Sequence, residues 1–124
     1  RACVQLLSWP PLEPAASLQP TDPSRALSRR SARVSVSEDL EDARGYVTTY
    51  GSALALDAAP ATEDSALVAR LRAAGCVVVG KTNTPEYGHK GVTDNVPFGF
   101  TRNPWQTDHS AGGSSGGSAA ALAA

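Results

Sequence analysis

The sequence predicts an α/β fold, because an amphipathic helix, a glycine and a buried strand follow one another directly. Thr62 is a good helix N-cap, and Glu63 and Asp64 would place negative charge in the first turn, where the helix dipole favours it. Gly75 is placed to end the helix as a C′ glycine. The residues Cys76 to Val79 form an unbroken apolar run of strand length, as expected for a strand covered on both faces. This order is half of an α/β unit.

The predicted helix carries its apolar residues on one face and basic residues near its C-terminal end. The apolar positions are Leu67, Val68, Leu71 and Ala74, and the basic positions are Arg70 and Arg72. We therefore expect this face to pack against the sheet.

The chain before the helix is less regular. Residues 1–33 contain five prolines and an arginine excess, which predicts loop structure and a solvated basic face. Residues 34–37 alternate apolar and polar side chains and predict a short strand. Residues 38–44 are expected to form a charged turn. Residues 45–52 are rich in β-branched and aromatic side chains but bracketed by glycines, so a loop is expected there, with a strand as the alternative. We expect residues 1–33 to be a separate N-terminal segment, rich in proline and arginine, and residues 34–124 to be part of a larger domain.

Composition gives little support to several classes of protein. The chain has 124 residues with 11 basic and 12 acidic side chains, so its charge favours neither nucleic acid nor an anionic membrane as a partner. No run is long enough to cross a membrane. Cys3 and Cys76 match no metal-site spacing, and Cys76 is expected to be a buried thiol, which fits a reduced cytoplasmic setting. Because the chain begins with Arg1 and ends within an alanine run, we expect a fragment.

Residues 75–82 match the pattern of a phosphate-binding loop, G-x-x-x-x-G-K-[ST]. In such a loop the four variable residues form a turn between a strand and a helix. Here the four residues are the predicted strand itself, and Pro85 follows too soon for a long helix to face an anion. The match is therefore interpreted as accidental.

A glycine- and serine-rich stretch, Gly112 to Ser118, is the strongest candidate for a functional site. Four glycines would let backbone amides approach a bound group closely, and the serines supply hydroxyls. The same composition is also typical of a flexible linker. An alanine run follows and predicts a helix capped by Ser118 or a nearby residue, which can pack closely on a neighbour because its side chains are small.

Four motifs in order decide between these two interpretations. They are Gly80 to Gly88, Gly91 to Asn95, Arg102 to Trp105 and Ala111 to Ala121. In this order and spacing the sequence resembles the amidase signature family of serine hydrolases, strongly from Gly45 onward and weakly back to Val34. The resemblance implies an α/β fold with a large mixed sheet and helices on both faces, of which this chain would form the N-terminal part.

The resemblance also implies a mechanism. Family members cleave carboxamide bonds with a Ser-Ser-Lys triad, in which a buried lysine is the base and a bridging serine in a cis peptide connects it to the nucleophile. By motif position Ser114 matches the bridging serine, Ser115 a supporting hydroxyl, and Gly113–Ser114 the cis bond. Gly112 and Gly113 would contact the substrate. No cofactor or metal is implied.

The sequence departs from the family at the catalytic lysine. Two alignments place either Glu38 or Ser37 there, and neither residue is a lysine. The lysines present, Lys81 and Lys90, fall in the predicted downstream loop, where the family has structural positions. The nucleophile motif would lie C-terminal to the glycine loop, in sequence that these 124 residues do not include. The resemblance thus predicts an amidase-type hydrolase of which this chain alone is inactive, and leaves open whether the parent gene is active or decayed.

Two other functions stay open at this point. The first is a non-catalytic binding protein on the amidase fold, which the missing lysine favours. The second is the amidotransferase component that works on misacylated transfer RNA, and only this interpretation would bring nucleic acid and partner subunits. Otherwise the expected partner is a small-molecule amide, whose identity, like the oligomeric state, stays open. His89 and His109 lack paired carboxylates or metal spacing and predict structural roles, and Trp105 predicts a packing anchor.

Overall fold

A computed structural model of the chain describes residues 33–124. The expectations for the proline-rich segment and for Cys3 lie outside these residues. The helices and strands are β1 (Arg33–Glu38), α1 (Ala66–Ala73), β2 (Cys76–Thr82), β3 (Asp94–Asn95), β4 (Gly99–Phe100), β5 (Arg102–Asn103), β6 (Gln106–Ser110) and α2 (Gly116–Ala123). Short 3-10 turns span Ala53–Ala55 and Glu86–Gly88.

The centre of the fold is a parallel pair of strands, β1 and β2, joined through α1. Parallel strands need a crossover connection, which the helix between them provides. Ser37 lies opposite Lys81 and Glu38 opposite Thr82, and the register shifts between Ser35 and Ser37. The predicted α/β unit is confirmed, and the strand predicted at residues 34–37 is present. The remaining strands form two small antiparallel pairs, β3 with β4 and β5 with β6.

Helix α1 begins later than its sequence predicts. Its N-cap is Ser65, whose hydroxyl accepts a hydrogen bond from the Val68 amide at 3.4 Å, and not Thr62. Asp64 is occupied elsewhere, because its carboxylate accepts from the Arg44 amide at 2.7 Å and pairs with Arg72. Long-range contacts therefore hold residues 62–64 outside the helix. Gly75, with φ +86°, follows the C-cap Ala74 as predicted.

Strand β2 is longer than predicted, and this corrects the placement of Lys81. The strand continues through Gly80 to Thr82, so Lys81 lies in the strand and not in a loop. The backbone pairing of Lys81 and Thr82 with β1 explains the extension, although both residues are polar. The four variable positions of the phosphate-loop pattern are strand residues, as predicted, and do not form the turn that such a loop requires.

The apolar core is small and the interior is unusually polar. Buried apolar residues include Ala43, Tyr46, Val68 and Val78, which form one cluster. Of the predicted helix face, only Val68 is buried, and Leu67 is 54% exposed. Trp105 is 83% exposed, so its prediction as a packing anchor is wrong for the described residues. Cys76 is half-buried rather than buried.

Polar side chains fill the space between β2 and the segments that surround it. Those less than 2% exposed are Asp39, Ser52, Lys81, Thr82, Asn83, Thr84 and Thr93. Buried polar groups are costly unless they are paired, and all of these side chains except the Thr84 hydroxyl take part in hydrogen bonds or an ion pair within the described residues. Among residues 33–124, no helix is long and apolar enough to span a membrane.

Candidate active site

The glycine- and serine-rich loop lies at the carboxyl ends of β1 and β2. The Ser118 hydroxyl in the first turn of α2 is 2.8 Å from the hydroxyl of Thr82, the last residue of β2. One residue earlier, the Gly117 amide donates to the Asn83 carbonyl at 3.2 Å. Helix α2 packs against both strands. The loop is therefore seated on the end of the sheet.

Two glycines of this loop are required by close backbone approach. A Cβ on Gly117 would lie 2.4 Å from the amide nitrogen of Asn83 and 2.5 Å from its carbonyl oxygen. A Cβ on Gly116 would lie 2.4 Å from the hydroxyl of Thr93. Distances this short exclude any larger residue without displacement of the chain. The interpretation as a flexible linker is therefore excluded, because a linker makes no such contacts.

The loop contains the cis peptide bond expected from the family resemblance. The bond Gly113–Ser114 is cis, and Gly112 before it has φ +80°. Ser114 is half-buried, whereas Ser115 is exposed and forms the N-cap of α2 without a side-chain capping hydrogen bond. Gly112 is half-buried and Gly113 is exposed. The loop thus keeps Ser114 and both glycines partly accessible to a bound molecule.

The two candidates for the position of the missing lysine lie on opposite faces of the sheet. Neighbouring residues in a parallel register present their side chains on the same face, and successive residues alternate. Glu38 shares a face with Thr82, whose hydroxyl contacts Ser118 of α2. Ser37 shares the opposite face with Lys81 and is buried. Of the two residues, Glu38 is the one on the face of the glycine loop.

Lys81 is a fully buried lysine with three hydrogen-bond acceptors. Its Nζ lies 2.6 Å from the Glu41 carbonyl, 2.9 Å from the Thr48 hydroxyl and 3.3 Å from Oδ1 of Asp39. Asp39 in turn accepts from the Thr49 amide at 3.1 Å and from the Thr49 hydroxyl. Burial lowers the pKa of the Lys81 ammonium, and the Asp39 carboxylate opposes that shift. This network holds the turn after β1 against β2.

Lys90 is a different kind of lysine. It pairs with Asp94 at 2.5 Å, and the two side chains are 39% and 38% exposed. His89 and His109 are also exposed, and Nδ1 of His109 lies 3.4 Å from Oδ1 of the adjacent Asp108. Within residues 33–124 there is no group of three side chains suited to hold a metal ion.

Sequence reasoning missed two residues that organise the loop, Asn83 and Thr93. The Asn83 side-chain amide donates to the Gly99 carbonyl and the Thr101 hydroxyl, and its Oδ1 accepts from Asn95. Thr93 contacts the backbone on both sides of Ser114. Asn83 lies in the motif Gly80 to Gly88, and Thr93 lies in the motif Gly91 to Asn95. The only sequence signal for their roles was a polar residue within each glycine-containing motif.

The described residues form an α/β unit that presents a serine in a glycine loop at the carboxyl ends of parallel strands. In α/β enzymes, this end of the sheet is where ligands bind. The family model described as Amidase matches residues 38–124. The chain belongs to the amidase family.

Similar proteins agree with this assignment. The chain is 47% identical over 112 residues to the Mycobacterium tuberculosis protein named "Putative amidase AmiB2", which covers 90% of this chain and 24% of that protein. The structure of a 6-aminohexanoate cyclic dimer hydrolase complexed with substrate superposes with a TM-score of 0.69 at 40% identity, over 73% of this chain and 19% of that one.

A third similar protein belongs to an amidotransferase. The A subunit of the glutamyl-tRNA(Gln) amidotransferase of Thermotoga maritima superposes with a TM-score of 0.67 at 37% identity, over 73% of this chain and 20% of that one. The chain therefore spans about a quarter of the length of AmiB2 and about a fifth of each of these two solved chains.

Proposed function

We propose that the chain contributes the bridging-serine segment of an amidase-type hydrolase that acts on carboxamide bonds. The observation that carries this proposal is the close seating of the glycine loop on the ends of β1 and β2, with Ser114 half-buried within it. In this proposal Ser114 passes a proton between a base and a nucleophile, Ser115 supports it, and Gly112 and Gly113 line the substrate side. Residues 34–124 form a partial amidase domain.

Residues 1–124 by themselves do not hydrolyse amides in this proposal. The base of a serine relay must accept a proton near neutral pH, which a lysine can do when burial lowers its pKa. Glu38 lies on the face of the loop, but a carboxylate is a much weaker base than the neutral amine of such a lysine. Lys81 lies on the opposite face with its ammonium bound to three acceptors. Neither residue supplies the required base.

The inactivity of this chain is tested by turnover of simple amides and esters. We expect residues 1–124 to give rates equal to buffer. Hydrolysis that disappears in Ser114→Ala would contradict this expectation, because it would require a working base and nucleophile within the chain.

The hydrolase proposal itself is tested by a graft. Residues 38–124 replace the matching segment of the 6-aminohexanoate cyclic dimer hydrolase, and turnover of that cyclic dimer is measured. We expect the graft with Glu38 to be inactive and the graft with Glu38→Lys to be active. Adding Ser114→Ala to the active graft is expected to lower kcat by about a hundredfold or more, the usual contribution of a proton-transfer group. Glu38→Gln is the matched control and stays inactive.

The second candidate function is a non-catalytic protein on the amidase fold, and Glu38 is the observation that favours it. If the Glu38→Lys graft folds but shows no turnover, the loop does not support proton transfer and this alternative is preferred. The likeness to the amidotransferase keeps a transfer-RNA-dependent role as a third alternative, and the cytoplasmic setting stays a prediction.

A further inference from the structure

We propose that Thr93 is the positioning residue of the Ser114 loop, and that its hydroxyl sets where Ser114 lies. Three hydrogen bonds carry the proposal. The Thr93 amide donates to the Gly112 carbonyl at 3.0 Å, and its hydroxyl donates to the Ser114 carbonyl at 3.2 Å. The same hydroxyl accepts from the Gly116 amide at 3.0 Å. These contacts fall before, at and after Ser114. The catalytic meaning of the inference rests on the proposed function of Ser114.

The chemistry of these contacts requires a hydroxyl. One atom must donate to a carbonyl and accept from an amide at the same time, which a serine or threonine hydroxyl can do and a carboxylate or an ammonium cannot. Thr93 is fully buried, so water cannot replace its hydroxyl. A valine of similar shape would leave the Ser114 carbonyl and the Gly116 amide without these partners, and such buried unpaired groups are costly.

Thr93 is itself held to the end of β2 by a chain of hydrogen bonds. Its carbonyl accepts from the Thr101 amide at 2.8 Å, and the Thr101 hydroxyl accepts from the Asn83 side-chain amide at 2.9 Å. The Asn83 carbonyl accepts from the Gly117 amide at 3.2 Å, which returns the chain to α2. Thr93 therefore links the loop to the end of β2, which also supports α2.

The loop also rests directly on the backbone that precedes Thr93. A Cβ on Gly113 would lie 3.0 Å from backbone atoms of Gly91 and Val92. This packing limits how close the loop comes to residues 91–92, whereas the Thr93 hydroxyl joins two specific backbone groups on either side of Ser115. The two contributions separate experimentally, because only the second depends on a hydroxyl.

The test is amide hydrogen exchange on the 124-residue chain, followed by NMR, in matched variants. In Thr93→Val we expect the Gly116 amide to exchange at least about tenfold faster, because it loses its acceptor. In Thr93→Ser the hydroxyl is kept, and the Gly116 rate stays within about threefold of the original. Thr84→Val is the control: it removes another fully buried threonine hydroxyl, one without a hydrogen-bond partner among the described residues, and it leaves Gly116 within the same limit.

Three results would overturn the proposal. They are an unchanged Gly116 rate in Thr93→Val, equal acceleration of the Gly116, Gly117 and Val78 amides, which would indicate only global destabilisation, and loss of Gly116 protection in Thr93→Ser. If Thr93→Val does not fold, Thr93→Ala, which also lacks the hydroxyl but adds no bulk, replaces it and is compared with Thr93→Ser by the same criterion. This test measures hydrogen exchange and not turnover. An inactive graft would therefore refute the hydrolase proposal without affecting the conclusion about Thr93. An unchanged exchange rate would refute the Thr93 proposal without affecting the graft.

Discussion

Lys81 offers the sharpest test of how this polar interior is stabilised. Substitution Lys81→Met keeps the length of the side chain but removes three donors from buried acceptors, the Glu41 carbonyl, the Thr48 hydroxyl and the Asp39 carboxylate. Asp39 would remain 1% exposed without its counter-charge. Removing one partner of a buried ion pair typically costs about 3 to 5 kcal/mol, so we expect a loss of that size in the free energy of unfolding.

The assay is urea unfolding followed by far-UV circular dichroism, with a double-mutant cycle. Asp39→Asn alone should also be strongly destabilising, and the double variant should lose at least about 1 kcal/mol less than the sum of the two, because the second change no longer breaks a pair. Lys90→Met is the matched control. Its ion pair with Asp94 is more than a third exposed on both sides, so the loss should stay below about 1 kcal/mol. Additive single losses, or equal effects at Lys81 and Lys90, would refute the reasoning.

Three further predictions test separate features. Burial lowers the pKa of Lys81, so the folded chain releases this proton more readily than the unfolded chain. The free energy of unfolding should therefore rise with pH between the lowered pKa and the ordinary lysine value of about 10.4. This rise, measured from urea midpoints, should be absent in Lys81→Met. Gly117→Ala should cost about 1 to 3 kcal/mol in the same assay because its Cβ meets the Asn83 backbone, whereas Gly91→Ala, with open space around it, should be nearly neutral. Thermal melts should show Ser65→Ala destabilising by about 1 kcal/mol and Thr62→Ala by much less, and the opposite order would contradict the observed helix start.

Much of the fold follows from local sequence patterns. The order of β1, α1 and β2 was predictable because strand alternation, an amphipathic helix and a C′ glycine are each set by residues close together in the chain. The cis bond at Gly113–Ser114 was expected from family resemblance, since the glycine loop has a recognisable order of residues. The sequence by itself therefore determined the α/β class, the family and the location of the candidate loop.

Only the tertiary structure decided which polar side chains meet. Thr62 and Ser65 are both good caps, and the distant Arg44 and Arg72 settle the choice by engaging Asp64. Lys81 follows a glycine and precedes a proline-containing stretch, which is typical of a loop. It is a strand residue because it pairs with β1, more than forty positions earlier in the sequence. Glu38 and Ser37 are adjacent in the chain, yet strand register places only Glu38 on the face of the loop. Thr93 acquires its contacts from residues about twenty positions away. Such contacts depend on register and burial, which a local pattern does not encode.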